Sequence, residues 1–472
     1  MKINANGTDE NDFVFILGYP GRTYRHTPAE FLSYQYEHIL PVISSWFGER
    51  IDMLEQDARG NTAKRLQYAG TLASLHNTAK NFRGKIQGLT RTNLVSQRYA
   101  EQEELKKFVS GNASLRTKYG HVFDEMSALY KRKMEMADEY ILLNQLYSSS
   151  GIFHVAAFID EYGQLKKEKG DDWLTDNKDR LTAQLRGGYR IHSDKLDMQF
   201  TARLLERLHK SGHSVDDVWA LMKIKSTNRD DIEAALWKHW KKSKWLDAKS
   251  TMAKWDKNPG SFLKQKNKLV KMASLINDKV GVMSEEWRAI DDKIDVLMPL
   301  LAEVREAYSG ETFVPDANST LRLTYGYVKG YSPQDAVYNE PFTTLSGILE
   351  KADPSDRAKE EESDYYMPAD ILETFKRTEA SDKLVHPKHK QVVVGMLYNL
   401  DTTGGNSGSP ILDADGNLVG INFDRAYTAT INDFAWNESY SRSIGVDIRY
   451  VLYVMKYIGG ADEVLSEMGV KL

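Results

Sequence analysis

Gly404-Gly405-Asn406-Ser407-Gly408-Ser409-Pro410 stands between two runs of strand-forming residues. Glycines on both sides of a small polar pair permit a tight turn with positive φ, and they let backbone N–H groups point inward. Ahead of the turn, Gln391-Val392-Val393-Val394-Gly395-Met396-Leu397-Tyr398 reads as a strand. Behind it, Ile411-Leu412, the turn Asp413-Ala414-Asp415-Gly416 and Leu418-Val419-Gly420-Ile421 predict a β-hairpin. Folding the chain about that hairpin sets 422–425 roughly opposite Ser407, so Asn422, Phe423, Asp424 and Arg425 are expected to line one site. Strand alternation sends Asp424 and Arg425 to opposite faces, so they need not neutralise one another.

The β texture begins near residue 310. Leu321-Arg322-Leu323-Thr324-Tyr325-Gly326-Tyr327-Val328-Lys329-Gly330-Tyr331 alternates apolar and polar residues and predicts a twisted antiparallel strand, whereas 351–364 is acidic and polar and reads as an exposed loop. Upstream, helical period dominates. Amphipathic runs fall at about 29–57, 60–89, 93–148, 195–222 and 228–247, with glycine or Ser/Asn/Asp punctuation between them. In 284–301, Ser284 reads as a cap, followed by Glu285 and Glu286 and an apolar seam of Trp287, Ile290, Ile294, Leu297 and Leu301. Near the start, Phe13-Val14-Phe15-Ile16-Leu17-Gly18 predicts a buried strand with no neighbour for roughly 280 residues. It is therefore expected to be the last piece of something further upstream. Three segments result: 1–27, a helical domain over 28–309, and a β module over 310–472.

Composition narrows the function. The 472 residues, 41% hydrophobic and 28% charged, suffice for a large core, and a net charge of −4 offers no basic excess for a nucleic-acid backbone. Lys238-His239-Trp240-Lys241-Lys242 accordingly reads as a solvated helix face, and the aromatic and methionine stripes read as core. Absence of cysteine excludes disulfides, thiolate metal sites and a cysteine nucleophile. No apolar run approaches a membrane span, and Met1-Lys2-Ile3-Asn4-Ala5-Asn6-Gly7 lacks the apolar core of a signal peptide. Neither a cofactor nor a metal is called for by any motif.

Ser407 is the candidate nucleophile. A serine hydroxyl needs a base to take its proton and N–H donors for the oxyanion, and the N–H groups of Gly405 and Ser407 are placed to be those donors. The turn departs from the Gly-x-Ser-x-Gly elbow, because Ser409 stands at the final glycine position. All eleven histidines precede Ser407, the last being His389, so only the orders His…Asp…Ser and Asp…His…Ser stay open. His386 and His389 themselves read as surface residues.

Gly405-Asn406-Ser407-Gly408-Ser409-Pro410, preceded by Thr402-Thr403-Gly404, resembles the nucleophile motif of chymotrypsin-like peptidases. Together with Phe13 to Gly18, Tyr19-Pro20-Gly21-Arg22-Thr23, the helical insert and Ile444-Gly445-Val446-Asp447-Ile448-Arg449-Tyr450-Val451, the whole chain resembles the bacterial exopeptidases numbered forty-six among serine peptidase families. That resemblance implies an α+β fold: a chymotrypsin-like antiparallel β-barrel with a large inserted α-helical domain. The implied activity is acyl-enzyme release of dipeptides from free peptide N-termini.

Asp424-Arg425 matches the pattern of the acidic-specific branch. Arg425 is then expected to read a P1 Asp or Glu, with a neutral P1 leaving a buried charge unpaired at a cost of several kcal/mol. Asp424 takes the substrate's ammonium, helped by Asn81 or alternatively Asn77 on a helical domain that acts as a lid. Substrates are peptides with free N-termini, and a homodimer and a periplasmic or cell-surface location are also implied. In this family the triad histidine and aspartate come from the half-barrel ahead of Tyr19-Pro20-Gly21, so both are expected outside this sequence and the chain alone to be nearly inactive. The alternative expectation is a non-catalytic protein that binds peptide N-termini.

Overall fold

The computed structural model describes residues 1–189, 193–243, 245–264, 267–355, 363, 365–379 and 382–472. Most of the acidic stretch 351–364 lies outside the described residues. The chain forms two compact units, one of residues 1–27, 87–92 and 313–472 and one of residues 28–86 and 93–312.

In the first unit the strands are β1 (Phe13–Gly18), β2 (Arg322–Tyr327), β3 (Tyr331–Gln334), β4 (Val337–Asn339), β5 (Phe342–Thr344), β6 (Val393–Tyr398), β7 (Pro410–Asp413), β8 (Leu418–Arg425) and β9 (Ser443–Asp447). Seven make one antiparallel sheet in the order β2-β1-β7-β8-β9-β6-β5, while β3 and β4 pair as a ribbon. The Val328–Tyr398 bridge, with bonds from Lys329 N–H to the Leu397 carbonyl (3.1 Å) and from Asn399 N–H to the Tyr327 carbonyl (3.1 Å), joins the end of β2 to β6.

Strand alternation explains the core. Val14 and Ile16 of β1 turn inward against Val328, Met396, Ile411 and Val419, each such burial worth about 1.5–3 kcal/mol. Phe13, Phe15 and Leu17 take the other face, opposite Tyr327, Tyr325 and Leu323 of β2, and Leu17, Leu323, Tyr325 and Tyr327 are exposed. The neighbours missing from the local pattern around β1 are thus β2, roughly 300 residues on, and β7. β1 lies inside this sheet, because sheet partners are selected by tertiary packing and not by proximity in sequence.

The second unit is helical. The run at 29–57 is Ala29–Tyr34, a π turn over Gln35–Ile39 and Leu40–Ala58, and the run at 93–148 divides into Leu94–Gly111, Ala113–Tyr119 and Val122–Ser149. Asn112 makes the first of those breaks by accepting from the N–H groups of Ser114 and Leu115. Ser284 is not the helix cap its sequence context predicts. One helix runs from Lys268 to Ser309, capped by Asn267 through the Leu269 N–H, and the Ser284 hydroxyl lies mid-helix, 3.1 Å from that of Tyr140. A Ser-Glu-Glu run therefore mimicked a helix start inside a longer helix. The seam of Ile290, Ile294, Leu297 and Leu301 is buried, and Trp46, Trp240, Trp245 and Trp255 are among the fully buried side chains. No helix among the described residues is long and apolar enough to cross a membrane.

Candidate active site

The glycine-rich turn between β6 and β7 owes its shape to two positive-φ glycines, Gly405 (106°) and Gly408 (86°), a conformation that residues with a Cβ rarely adopt. Asn406 folds the turn on itself. Its Oδ1 accepts from Thr403 N–H and its own N–H donates to the Thr403 carbonyl, both at 3.1 Å. From β8, Asn422 Nδ2 donates to the Asn406 carbonyl at 3.0 Å while Asn422 Oδ1 accepts from the Tyr398 hydroxyl at 2.6 Å. Burial raises the Tyr398 pKa well above the ordinary phenol value, so that hydroxyl stays a donor. Two backbone bonds finish the seam, Gly408 N–H to the Asn422 carbonyl (2.7 Å) and Asn422 N–H to the Ser409 carbonyl (2.9 Å).

Ser407 stands exposed at the tip, its hydroxyl donating to the Phe423 carbonyl at 3.2 Å. The hairpin register thus brings Asn422 and Phe423 to the serine turn. Among the described residues, the N–H groups of Gly405 and Ser407 have no protein partner.

The segment after β1 braces the turn from behind. Gly21 N–H donates to the Gly404 carbonyl at 2.7 Å, and a Cβ on Gly405 would lie 2.4 Å from the Tyr19 carbonyl oxygen. A Cβ on Gly18 would meet Asn406 Nδ2 at 2.4 Å. These glycines are contact points between two distant parts of the chain. Next to them Arg25 forms a two-pronged ion pair with Asp401 and donates to the Asn432 carbonyl. Asp316 accepts from the Thr23 hydroxyl and from the N–H groups of Arg25 and His26. Burial alone would raise its pKa, but these bonds hold the carboxyl below the usual carboxylate range. Arg25, Asp316, Asp401 and Asn406 share a cavity of about 500 Å³.

β8 carries a bulge between Asn422 and Asp424 that turns Phe423 outward, 53% exposed. Asp424 is exposed and accepts from the Arg425 N–H at 2.8 Å, while the Arg425 guanidinium turns away and meets Asp433 Oδ1 through Nη1, also at 2.8 Å. The Arg425 and Asp433 side chains are only 11% and 12% exposed. Arg425 is thus already paired, which corrects the expectation of a buried guanidinium without a counterion. Asp433, eight residues beyond Arg425, was not legible as its partner because a 3₁₀ turn over Tyr427–Asp433 folds it back.

Asn81 is half-buried and Asn77 exposed on the helix Thr62–Thr92; both belong to the helical unit and Asp424 to the sheet unit. His389 is exposed, but His386 is not the surface residue its polar context suggested. It is 2% exposed, with Nε2 2.9 Å from Asp9 and Nδ1 accepting from Lys388 N–H. Burial, then Arg449 and His389, push its pKa below the ordinary histidine value despite Asp9. Among the described residues no three His, Asp or Glu side chains gather as a metal-holding group.

The chain is 26% identical to the Asp/Glu-specific dipeptidyl-peptidase of Shewanella putrefaciens over 99% of its own length and 66% of that protein's. It is 28% identical to dipeptidyl-peptidase 7 of Phocaeicola vulgatus over 99% of its length and 64% of that protein's. It thus spans just under two thirds of the length of these relatives, and its identity to the two is about equal. The crystal structure of Porphyromonas endodontalis DPP11 in complex with the dipeptide Arg-Glu superposes with a TM-score of 0.80 at 22% identity, covering 100% of this chain and 66% of that one, which shows a shared fold. With residues 1–470 matched by the sequence model of Peptidase S46, the chain belongs to that family.

Proposed function

We propose that this chain carries the nucleophile and specificity site of a serine dipeptidyl-peptidase that cleaves peptides with free N-termini and prefers Asp or Glu at P1. The observation that carries the reading is the exposed Ser407 on a braced turn, with the unengaged N–H groups of Gly405 and Ser407 beside it and Arg425 on the facing strand. In the acylation step Ser407 Oγ attacks the scissile carbonyl, its proton goes to a base, and the two N–H groups receive the oxyanion; collapse of that intermediate breaks the C–N bond, and the base returns the proton to the departing amine. The Ser407 hydroxyl donates to a main-chain carbonyl here, and we assign the base, with its orienting carboxylate, to a segment outside residues 1–472.

The closing bridge between β2 and β6 supports reading the sheet as a chymotrypsin-like barrel. Asp424, exposed next to Arg425, is assigned the substrate's α-ammonium, and Asn81 is assigned a supporting role in the same recognition. A periplasmic or cell-surface location and a homodimer belong to this reading.

The test is hydrolysis of Xaa-Glu and Xaa-Leu reporter dipeptides by this chain, with and without the additional segment, and by Ser407→Ala and Arg425→Gly variants. Cleavage of Xaa-Glu, lost in Ser407→Ala and shifted toward Xaa-Leu in Arg425→Gly, is expected. Efficient cleavage of N-acetylated reporters would remove the exopeptidase assignment. The hydrogen bond from Ser407 to a carbonyl favours one second reading, a peptide-N-terminus binding protein without turnover; binding of Xaa-Glu dipeptides with no hydrolysis under either condition selects it.

A further inference from the structure

We propose that Asp433 tunes specificity: as the resident counterion of Arg425, it limits the preference for an acidic side chain that Arg425 creates. This rests on the reading of Arg425 as the group that meets the substrate's P1 side chain.

The geometry is that of a half-occupied fork. Arg425 uses Nη1 on Asp433 Oδ1 at 2.8 Å, and among the described residues its Nη2 and Nε make no hydrogen bond. A guanidinium can hold a carboxylate through two parallel N–H groups, so the edge bearing Nε and Nη2 is free for a second carboxylate. Asp433 is firmly placed, since its backbone carbonyl accepts from Tyr24 N–H at 2.6 Å and the 3₁₀ turn Tyr427–Asp433 ends on it. Arg25, which feels the Asp433 charge, is itself committed to Asp401 and the Asn432 carbonyl.

Two consequences follow from Coulomb's law. A neutral P1 side chain leaves the Arg425–Asp433 pair intact, so it is tolerated instead of stranding a buried charge. An acidic P1 gains the attraction of Arg425 but faces the Asp433 carboxylate on the far side of the same guanidinium. With interaction energy falling as inverse distance, that repulsion cancels roughly half of the attraction. Removing the charge while keeping an oxygen acceptor, as Asp433→Asn does, therefore sharpens acidic selectivity. A residue with only a structural role would weaken acidic and neutral ligands alike.

The test is calorimetric titration of the 472-residue chain with the dipeptides Arg-Glu and Arg-Leu, for the parent and for Asp433→Asn, Asp433→Glu and Arg425→Gly, with thermal melts alongside. Asp433→Asn is expected to raise the ratio of Arg-Leu to Arg-Glu Kd about tenfold, and Asp433→Glu to return it to the parent value. An Asp433→Asn ratio that is unchanged or lowered, while Arg425→Gly brings the ratio near one, overturns the role of Asp433 and leaves that of Arg425 standing. A ratio untouched by Arg425→Gly overturns the reading of Arg425, and the proposal with it.

Discussion

Asn422 of β8 holds the Asn406 carbonyl at 3.0 Å with one end of its amide and the Tyr398 hydroxyl at 2.6 Å with the other. One buried side chain thereby couples the strand before the serine turn, the turn itself and the strand facing it. Asn422→Ala leaves the Tyr398 hydroxyl unsatisfied in the core, and the expected loss is about 2–3 kcal/mol of stability. In a Tyr398→Phe background the same substitution should cost about 1 kcal/mol less, because the two residues share a bond. Denaturant titrations of the four proteins in this cycle measure the coupling; simple additivity would contradict it.

Ser407 and Gly405 are predicted to separate chemistry from scaffold. Ser407 is exposed, so Ser407→Ala should change stability by less than about 0.5 kcal/mol while abolishing any acyl-enzyme formation. Gly405→Ala forces a Cβ onto φ of 106° and to 2.4 Å from the Tyr19 carbonyl oxygen, and should cost about 1–3 kcal/mol. Thermal melts paired with labelling by a serine-directed phosphonate discriminate the two. A Gly405→Ala protein as stable as the parent would mean that the brace does not constrain the turn.

Asp447 and Arg449 form a nearly fully buried pair, joined at 2.8 Å and 2.7 Å, and Arg449 also donates to the carbonyls of Asn6 and Thr8. Deleting one partner strands the other charge, and Asp447→Ala is expected to cost about 3–5 kcal/mol. It also removes the helix cap that Asp447 provides to Arg449 N–H. A loss below about 1 kcal/mol in urea unfolding would refute the assignment.

His386 predicts a pH dependence with a definite sign. Burial, Arg449 and His389 hold its folded pKa below the unfolded value, which is about 6.5, so the fold favours neutral imidazole. Its contribution is complete above that unfolded value and declines as pH falls through it, because the unfolded chain then binds the proton more readily. In melts from about pH 7.5 to about pH 5, His386→Asn should lose less stability than the parent. Its Oδ1 can replace Nδ1 as acceptor for Lys388 N–H. Parallel pH profiles would show that His386 does not titrate across unfolding.

Much of the β arrangement around the serine was legible because its contacts are local. The hairpin of β7 and β8 is set by Asp413-Ala414-Asp415-Gly416, with Gly416 at positive φ and Asp413 accepting from the N–H groups of Asp415 and Asn417. That turn carries Asn422 and Phe423 back to the serine turn. The helical region was legible too, since amphipathic period survives in Leu40–Ala58 and Lys268–Ser309. Helix ends were less so: Ser284 satisfies the composition of a cap, but whether a serine caps depends on the chain before it, and here that chain is already helical.

The residues alone therefore specified the turn chemistry, the candidate nucleophile and the alternation that separates Asp424 from Arg425, all of which depend on spacings of a few residues. Folding in three dimensions was needed to pair β1 with β2 and β7, to press Tyr19 and Gly21 against Gly404 and Gly405, to bury His386 against Asp9, and to give Arg425 its partner in Asp433. Each of those contacts depends on a close approach that no local spacing in the sequence signals. A glycine kept free of a side chain and a charge that already has its counterion can be recognised only once the opposing atoms are in place.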